Sequence, residues 1–163
     1  MLFRSFDAYE VSNHARGAAA RSRHNLIYWR GGDYLGVGPG AHGRITTPDG
    51  ARWSTLTPSR IAGYVARVES TGCGVAERER LSPLEAAQER LLMGLRTVEG
   101  VAVHELTALR LDPAMIEQLR GAGMLEPAAD RLIATHHGRA LLDRTTLELA
   151  HSALELAPSA ASR

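Results

Sequence analysis

RHNLIYWRGGDYLGVGPGAHG, residues Arg23–Gly43, is the stretch on which the reading of this chain turns. It opens with a His24-Asn25 pair and passes through Tyr28-Trp29. Six glycines then fall within the thirteen residues from Gly31 to Gly43. Local chemistry leaves two readings open. Glycines at a strand end let a ligand approach the backbone closely. The same glycines suit a tight turn between two strands. Residues 36–41, GVGPGA, have the form G-x-G-x-x-A. A dinucleotide fingerprint needs a helix straight after it and an acidic residue about 20 positions on. Here Gly43 and a TPDG turn follow, and neither requirement is met. His24 is equally two-sided. A neutral imidazole can ligate haem iron, with Tyr28 and Trp29 offering flat apolar contact to a macrocycle. Alternatively His24 and Asn25 hydrogen-bond a loop while the aromatics fill a core.

The surrounding composition bounds the problem. At 163 residues the chain can bury a real core as one ordinary domain or two small ones. Its hydrophobic fraction of 44% and charged fraction of 23% are those of a globular protein. All the basic residues are arginine, which we read as a compositional bias. The single cysteine, Cys73, excludes an internal disulfide framework and a multi-cysteine zinc or iron–sulfur site built from these residues. It fits a reducing cytoplasm. No apolar run reaches about 18 residues, so no transmembrane helix is expected. The opening MLFRSFDAYEVSN lacks the apolar core of a signal peptide.

Charge and pattern change near Ser82. Residues 1–81 carry a net charge of +4 and residues 82–150 a net charge of −3. Before the change we expect short strands at Ala8–Val11 and Tyr34–Val37, a polar loop from Arg16 to Arg23, and a hairpin around the TPDG turn. Thr57-Pro58 should open a helix with Ile61, Tyr64, Val65 and Val68 on its apolar face, stopped at Gly72. After the change, Ser82-Pro83-Leu84-Glu85 reads as a capping box. Leu84, Ala87, Leu91, Leu92 and Leu95 line the helix that follows. A short helix over Val103–Leu109 comes next, then one capped by Asp112-Pro113 that buries Ile116, Leu119 and Met124. The alternation of Arg131–Thr135 predicts a strand, and Gly138–Leu149 a last helix with Leu141, Leu142 and Leu149 inward. The arrangement is winged-helix-like, but its negative charge argues against nucleic acid as a partner. His136-His137 would point to opposite faces of a strand and not chelate together. His14, His104 and His151 have no partner at ligand spacing. Cys73 has no neighbouring base in sequence and is not read as a nucleophile.

Three strings carry a family resemblance: YEVSNHAR at 9–16, RHNLIYW at 23–29 and GDYLGVGPGAH at 32–42. Together they resemble the haem-chaperone branch of the radical S-adenosylmethionine proteins, the oxygen-independent coproporphyrinogen III oxidase-like family. MGLR at 93–96, EGV at 99–101, the run Leu119–Leu125 and the segment from RLI to GRALL within 131–142 are similar to that family's C-terminal domain. The likeness covers about residues 7–150.

The resemblance implies an α/β chain, in detail an α+β fragment. Residues 1–55 would supply closing strands of a partial radical-SAM β/α barrel, and residues 56–81 a connecting helix and linker. Residues 82–150 would form the mainly helical C-terminal domain, and 151–163 a disordered tail. Family members hold a [4Fe–4S] cluster through C-x-x-x-C-x-x-C, and its open iron binds S-adenosylmethionine. This chain has no such motif and corresponds to the last two-fifths or so of such a protein, so radical chemistry by this chain alone is not expected. In the family, H-N-x-x-Y-W is the haem-handling motif. That makes His24 the candidate axial ligand, with Asn25, Tyr28 and Trp29 shaping the haem site. Gly38, Ala41 and His42 become candidates for the S-adenosylmethionine side. The implied function is haem binding or transfer in porphyrin metabolism. The alternatives are part of a coproporphyrinogen III oxidase-type radical enzyme, or an inactive structural remnant. Expected partners are haem or a porphyrin and a haem-acceptor protein, with membrane contact only through a partner. Unpaired strand edges should leave residues 1–55 less ordered than 82–150, or held by self-association.

Overall fold

The structure, a computed structural model, describes residues 6–155. Strands β1 (Asp7–Ala8) and β2 (His14–Ala15) come first, followed by helix α1 (Arg23–Trp29). Strands β3 (His42–Thr46) and β4 (Arg52–Leu56), helix α2 (Ile61–Thr71) and strand β5 (Glu77–Arg80) come next. Helix α3 (Pro83–Gly94), strand β6 (Val101–Ala102), a 3-10 helix (Val103–Leu109) and helix α4 (Pro113–Gly121) follow. Strand β7 (Arg131–Leu132) and helices α5 (His136–Ala140) and α6 (Leu142–Glu155) complete the order. The mixed helix and strand content is that of an α/β chain. Two compact units emerge: residues 32–86, and the residues up to Gly31 together with those from Ala87 onward. These limits differ from the segment boundaries expected at 55 and 81.

In residues 32–86, turn chemistry sets the hairpin. Gly50 takes φ +82°, which an L side chain rarely adopts, and its N–H donates to Thr47 O at 2.8 Å. Thr47 closes the turn through its own N–H to Ala51 O at 2.9 Å. Strands β3 and β4 then pair antiparallel from His42↔Leu56 to Thr46↔Arg52, and β5 adds to the far side of β4. The four residues of β5, Glu77-Arg78-Glu79-Arg80, are all exposed. The Arg78 guanidinium lies 4.2 Å from the centre of the Trp53 ring, a cation–π contact across the ladder.

Two expectations fail here. Tyr34–Val37 is not a strand; only Tyr34 pairs, in a single bridge with Arg44. Helix α2 starts at Ile61, because Thr57 and Pro58 are held by the preceding loop. It ends at Gly72 in the left-handed region, as the sequence implies. Its anticipated apolar face is uncovered: Ile61, Val65 and Val68 are all exposed.

The other unit is built on leucine. Ala87 and Leu91 of α3, with Leu95 just past its end, pack with Val101, Leu106, Leu109, Leu119, Leu125, Leu132, Leu142 and Leu149 in one core. Each fully buried leucine contributes about 1.5–3 kcal/mol of transfer free energy. The capping box before α3 forms as read: Ser82 N–H and Oγ both donate to the Glu85 carboxylate, and Glu85 N–H donates to Ser82 Oγ. Leu84 and Leu92, placed inward by periodicity, are exposed instead. Ile116 and Met124 pack against this core but are only partly buried.

The Val103–Leu109 helix has the expected limits in 3-10 form. The Arg131–Thr135 strand shortens to Arg131–Leu132, with one further bridge at Ala134. The last helix is two. Thr135 caps α5 through Gly138 N–H, the chain breaks at Leu141, and α6 runs on to Glu155, five residues into the segment expected to be disordered. The remainder of that tail lies outside the described residues. Leu141, expected inward, is exposed at the break. His136 and His137 lie on α5 rather than on a strand, both exposed. A second, small core joins Tyr9, Ala15 and Leu26. Among the described residues no helix is long and apolar enough to cross a membrane.

Candidate functional site

The sequence-predicted residues fall in both units. His24, Asn25, Tyr28 and Trp29 share helix α1; Gly38, Ala41 and His42 belong to residues 32–86.

Helix α1 was not anticipated in the glycine-rich stretch, yet its start is local chemistry. Ser22 is the N-cap, and its Oγ accepts the Asn25 N–H at 3.3 Å. Ser22 in turn donates its own N–H to the Tyr9 hydroxyl at 3.2 Å. Leu26 is buried against Tyr9 and Ala15, which fixes the inner face of the helix. His24 therefore faces outward and is exposed. Tyr28, one turn on, meets its ring edge to face, with centroids 4.8 Å apart and planes at 86°. Asn25 contributes its backbone to the cap, and its side chain is partly covered.

Trp29 closes the helix and is half-buried. Its carbonyl accepts from Arg90 at 3.1 Å, and the Arg96 guanidinium lies 5.3 Å from its ring centre. Its indole Nε1 is buried with no hydrogen-bond partner among the described residues. The next residue, Arg30, donates two hydrogen bonds to Glu99, at 3.0 and 2.6 Å. Those bonds hold the Glu99 carboxyl below the usual carboxylate range against the opposing effect of burial. Upstream, Glu10 is almost fully buried; one carboxylate oxygen accepts from the Asn13 amide and the other has no partner among the described residues.

In the other unit the glycines divide by role. A Cβ on Gly36 would meet the His42 carbonyl oxygen at 2.4 Å, and one on Gly43 would meet Thr55 Oγ1 at 2.4 Å. Those two glycines permit close backbone packing. Gly38, at φ +101°, has nothing within 4 Å of a built Cβ and faces open space. The loop is organised by Thr57, which is buried. Its hydroxyl donates to Gly38 O at 2.6 Å and accepts the Ala41 N–H at 2.8 Å. Its own N–H donates to Ala41 O at 3.0 Å. The His42 side chain is exposed. Asp33 anchors the loop's entry by accepting from Thr46 N–H and Oγ1, both at 2.8 Å; the amide bond in particular holds its carboxyl low.

The opening alternatives thus resolve by position: tight packing at Gly36 and Gly43, an open backbone at Gly38. Strand β3 follows the loop, so the dinucleotide reading fails on geometry as well as on sequence. Sequence reasoning missed Thr57, which it read as a helix start. It also missed Arg96, which lies inside the MGLR string with no role assigned. An uncapped Thr-Pro pair and a cation spaced behind an aromatic are the only local signals, and both are weak.

Comparison with known proteins supplies the family. Residues 81–141 match the HemN C-terminal domain. The chain belongs to the HemN-like family of radical SAM proteins. Radical S-adenosyl methionine domain-containing protein 1, mitochondrial, from Bos taurus is 39% identical over 160 residues, covering 88% of this chain and 35% of that protein. Heme chaperone HemW from Escherichia coli is 32% identical over 145 residues, covering 88% of the chain and 38% of its own length. The chain spans about a third of the HemN-like relatives it matches. In fold it is similar to coproporphyrinogen III oxidase (HemN) from Escherichia coli, a radical SAM enzyme. That match has a TM-score of 0.54 at 14% identity, over 73% of this chain and 28% of the other.

Proposed function

We propose that this chain carries a haem-handling element of a radical SAM haem chaperone. His24 ligates the iron, Tyr28 offers its ring beside the imidazole, and Asn25 and Trp29 fix the helix that presents them. The observation that carries the reading is the exposed His24 ring on α1, braced edge to face by Tyr28 at 4.8 Å. A single imidazole suits haem, whose porphyrin already fills four coordination positions. It would not suit a bare metal ion, and no group of three metal-binding side chains occurs among the described residues. The buried, unpartnered Trp29 Nε1 leaves a donor at the same helix for a bound group. Bound haem would supply the iron centre; this chain's part is to ligate, orient and shield it.

The [4Fe–4S] cluster does not fit these residues. Cluster ligation takes three thiolates, and these 163 residues supply one. We therefore assign no radical step to them. Gly38, Ala41 and His42 are proposed only as one wall of an S-adenosylmethionine site. Gly38 offers open backbone and His42 an exposed ring, while Ala41's backbone is committed to Thr57. The cytoplasm, a haem-acceptor protein and self-association belong to the same proposal.

The test is a haemin titration followed by absorbance on the wild type and His24→Ala. Saturable binding with a Soret shift lost in His24→Ala supports ligation. Equal spectra for the two proteins reject it. Coproporphyrinogen oxidation as the alternative would show as S-adenosylmethionine cleavage once a cluster-bearing half is supplied.

A further inference from the structure

Beyond His24 and the glycine loop, a pocket of about 430 Å³ opens in the unit built on residues 6–31 and 87 onward. That size is within the range of small-molecule sites, about 300–1,000 Å³. Its walls combine two chemistries. Val11, Leu141 and Leu142 are apolar, while Arg96, Arg139 and Arg144 are cationic. Among the described residues Asp143 is the one acid on the lining, so positive charge is in excess.

The arginines are poorly satisfied by the protein. Arg96 stacks on Trp29 and has no carboxylate partner among the described residues. Arg139 spends one N–H on the Ala134 carbonyl at 2.8 Å. Arg144 approaches Glu148 only to 3.7 Å and its side chain is 75% exposed. The first turn of the fourteen-residue helix α6 also lines the pocket and adds the positive end of its dipole. Guanidinium groups take carboxylates through paired N–H donors, and apolar walls cover a hydrocarbon body.

We infer that this pocket binds a carboxylate borne on an apolar body, with Arg96 and Arg144 receiving the anion. The inference goes beyond haem ligation and does not need His24. The ligand chemistry has two sources, a porphyrin propionate or an aliphatic acid, and the experiment separates them.

The probes are metal-free protoporphyrin IX, its dimethyl ester and decanoate. Porphyrin binding is read by fluorescence anisotropy and decanoate by calorimetry, on the full chain, Arg96→Gln, Arg144→Gln and His24→Ala. Arg144→Gln sits on an exposed helix position and guards against loss of fold in Arg96→Gln. The free-acid porphyrin should bind about tenfold tighter than its ester, the scale of one charge-assisted contact. Both arginine variants should erase that preference, which would identify a propionate. Arginine-dependent decanoate binding, with acid and ester porphyrins equal, would support the pocket with an aliphatic ligand. Binding of all three probes unchanged by either arginine variant, or no binding at all, overturns the inference. The haemin Soret shift reads His24 separately, while the acid-over-ester preference reads the arginines on iron-free probes, so failure of haem ligation by His24 is told apart from failure of the pocket.

Discussion

Thr57 shows how one hydroxyl can decide a loop. It ties Gly38 O, Ala41 N–H and, through its backbone, Ala41 O. Thr57→Val keeps the shape and removes the hydroxyl's bonds, leaving the part-buried Ala41 N–H and Gly38 C=O without that partner. The expected cost is about 1–3 kcal/mol, read as a lower urea midpoint. Thr57→Ser should recover most of it. A midpoint for Thr57→Val equal to wild type would show that solvent replaces the hydroxyl. Gly138 sets a harder limit, because an added Cβ would meet the Met124 carbonyl oxygen at 1.9 Å. Gly138→Ala should therefore cost more than Thr57→Val, with chemical-shift changes centred on Met124 if the backbone gives way.

At the scale of elements, α1 depends on ties at both ends: the Ser22 cap and the Arg30–Glu99 pair. Glu99's carboxyl is held low by Arg30, so its folded form favours ionisation. That contribution is fully present above the unfolded glutamate range and is lost as pH falls through the lowered folded value. Wild-type stability should thus fall more steeply in acid than that of Glu99→Gln, as followed by denaturation at stepped pH. Parallel curves would remove the ion pair from the account. Helix α5 offers a cleaner cap. Thr135 Oγ1 accepts from Gly138 N–H at 2.9 Å and donates to Gly123 O at 2.6 Å. Thr135→Ala should cost about 0.5–2 kcal/mol, measured by thermal unfolding.

These same elements show what the sequence could reveal. The Ser82 capping box and the TPDG hairpin are local, so four or five residues state them in full. Gly72 as a helix stop is equally local. Tyr34–Val37 reads as a strand because it is a short apolar run bounded by glycines, but its pairing stops after one bridge, where Gly36 packs against His42. The start of α2 was misplaced because Thr57's partners lie 16 and 19 residues upstream. Of the haem-motif residues, the spacing of His24 and Tyr28 implied contact only once a helix was known to hold them. Arg96's place over Trp29 depends on tertiary packing that no spacing encodes.

Across the molecule, the two units differ in how they bury apolar surface. The leucine core closes on itself, whereas residues 32–86 leave Leu35 and Val37 at 75% and 82% exposure, with Ile61 at 72%. Surface this apolar should bind a fluorescent hydrophobic dye. Val37→Ser with Ile61→Ser should lower that dye signal while leaving the unfolding midpoint nearly unchanged. Undiminished dye binding would place the apolar surface elsewhere.

Strand β5 carries a directional consequence. Its free edge displays glutamate and arginine in strict alternation. A second such strand stacked parallel and in register, the geometry of amyloid, would set Glu77 on Glu77 and Arg78 on Arg78, with every rung repulsive. Laid antiparallel, the same strand would set Glu77 against Arg80 and Arg78 against Glu79. The edge therefore discriminates by polarity of approach: it opposes indefinite fibril growth while leaving a closed, two-membered pairing electrostatically permitted.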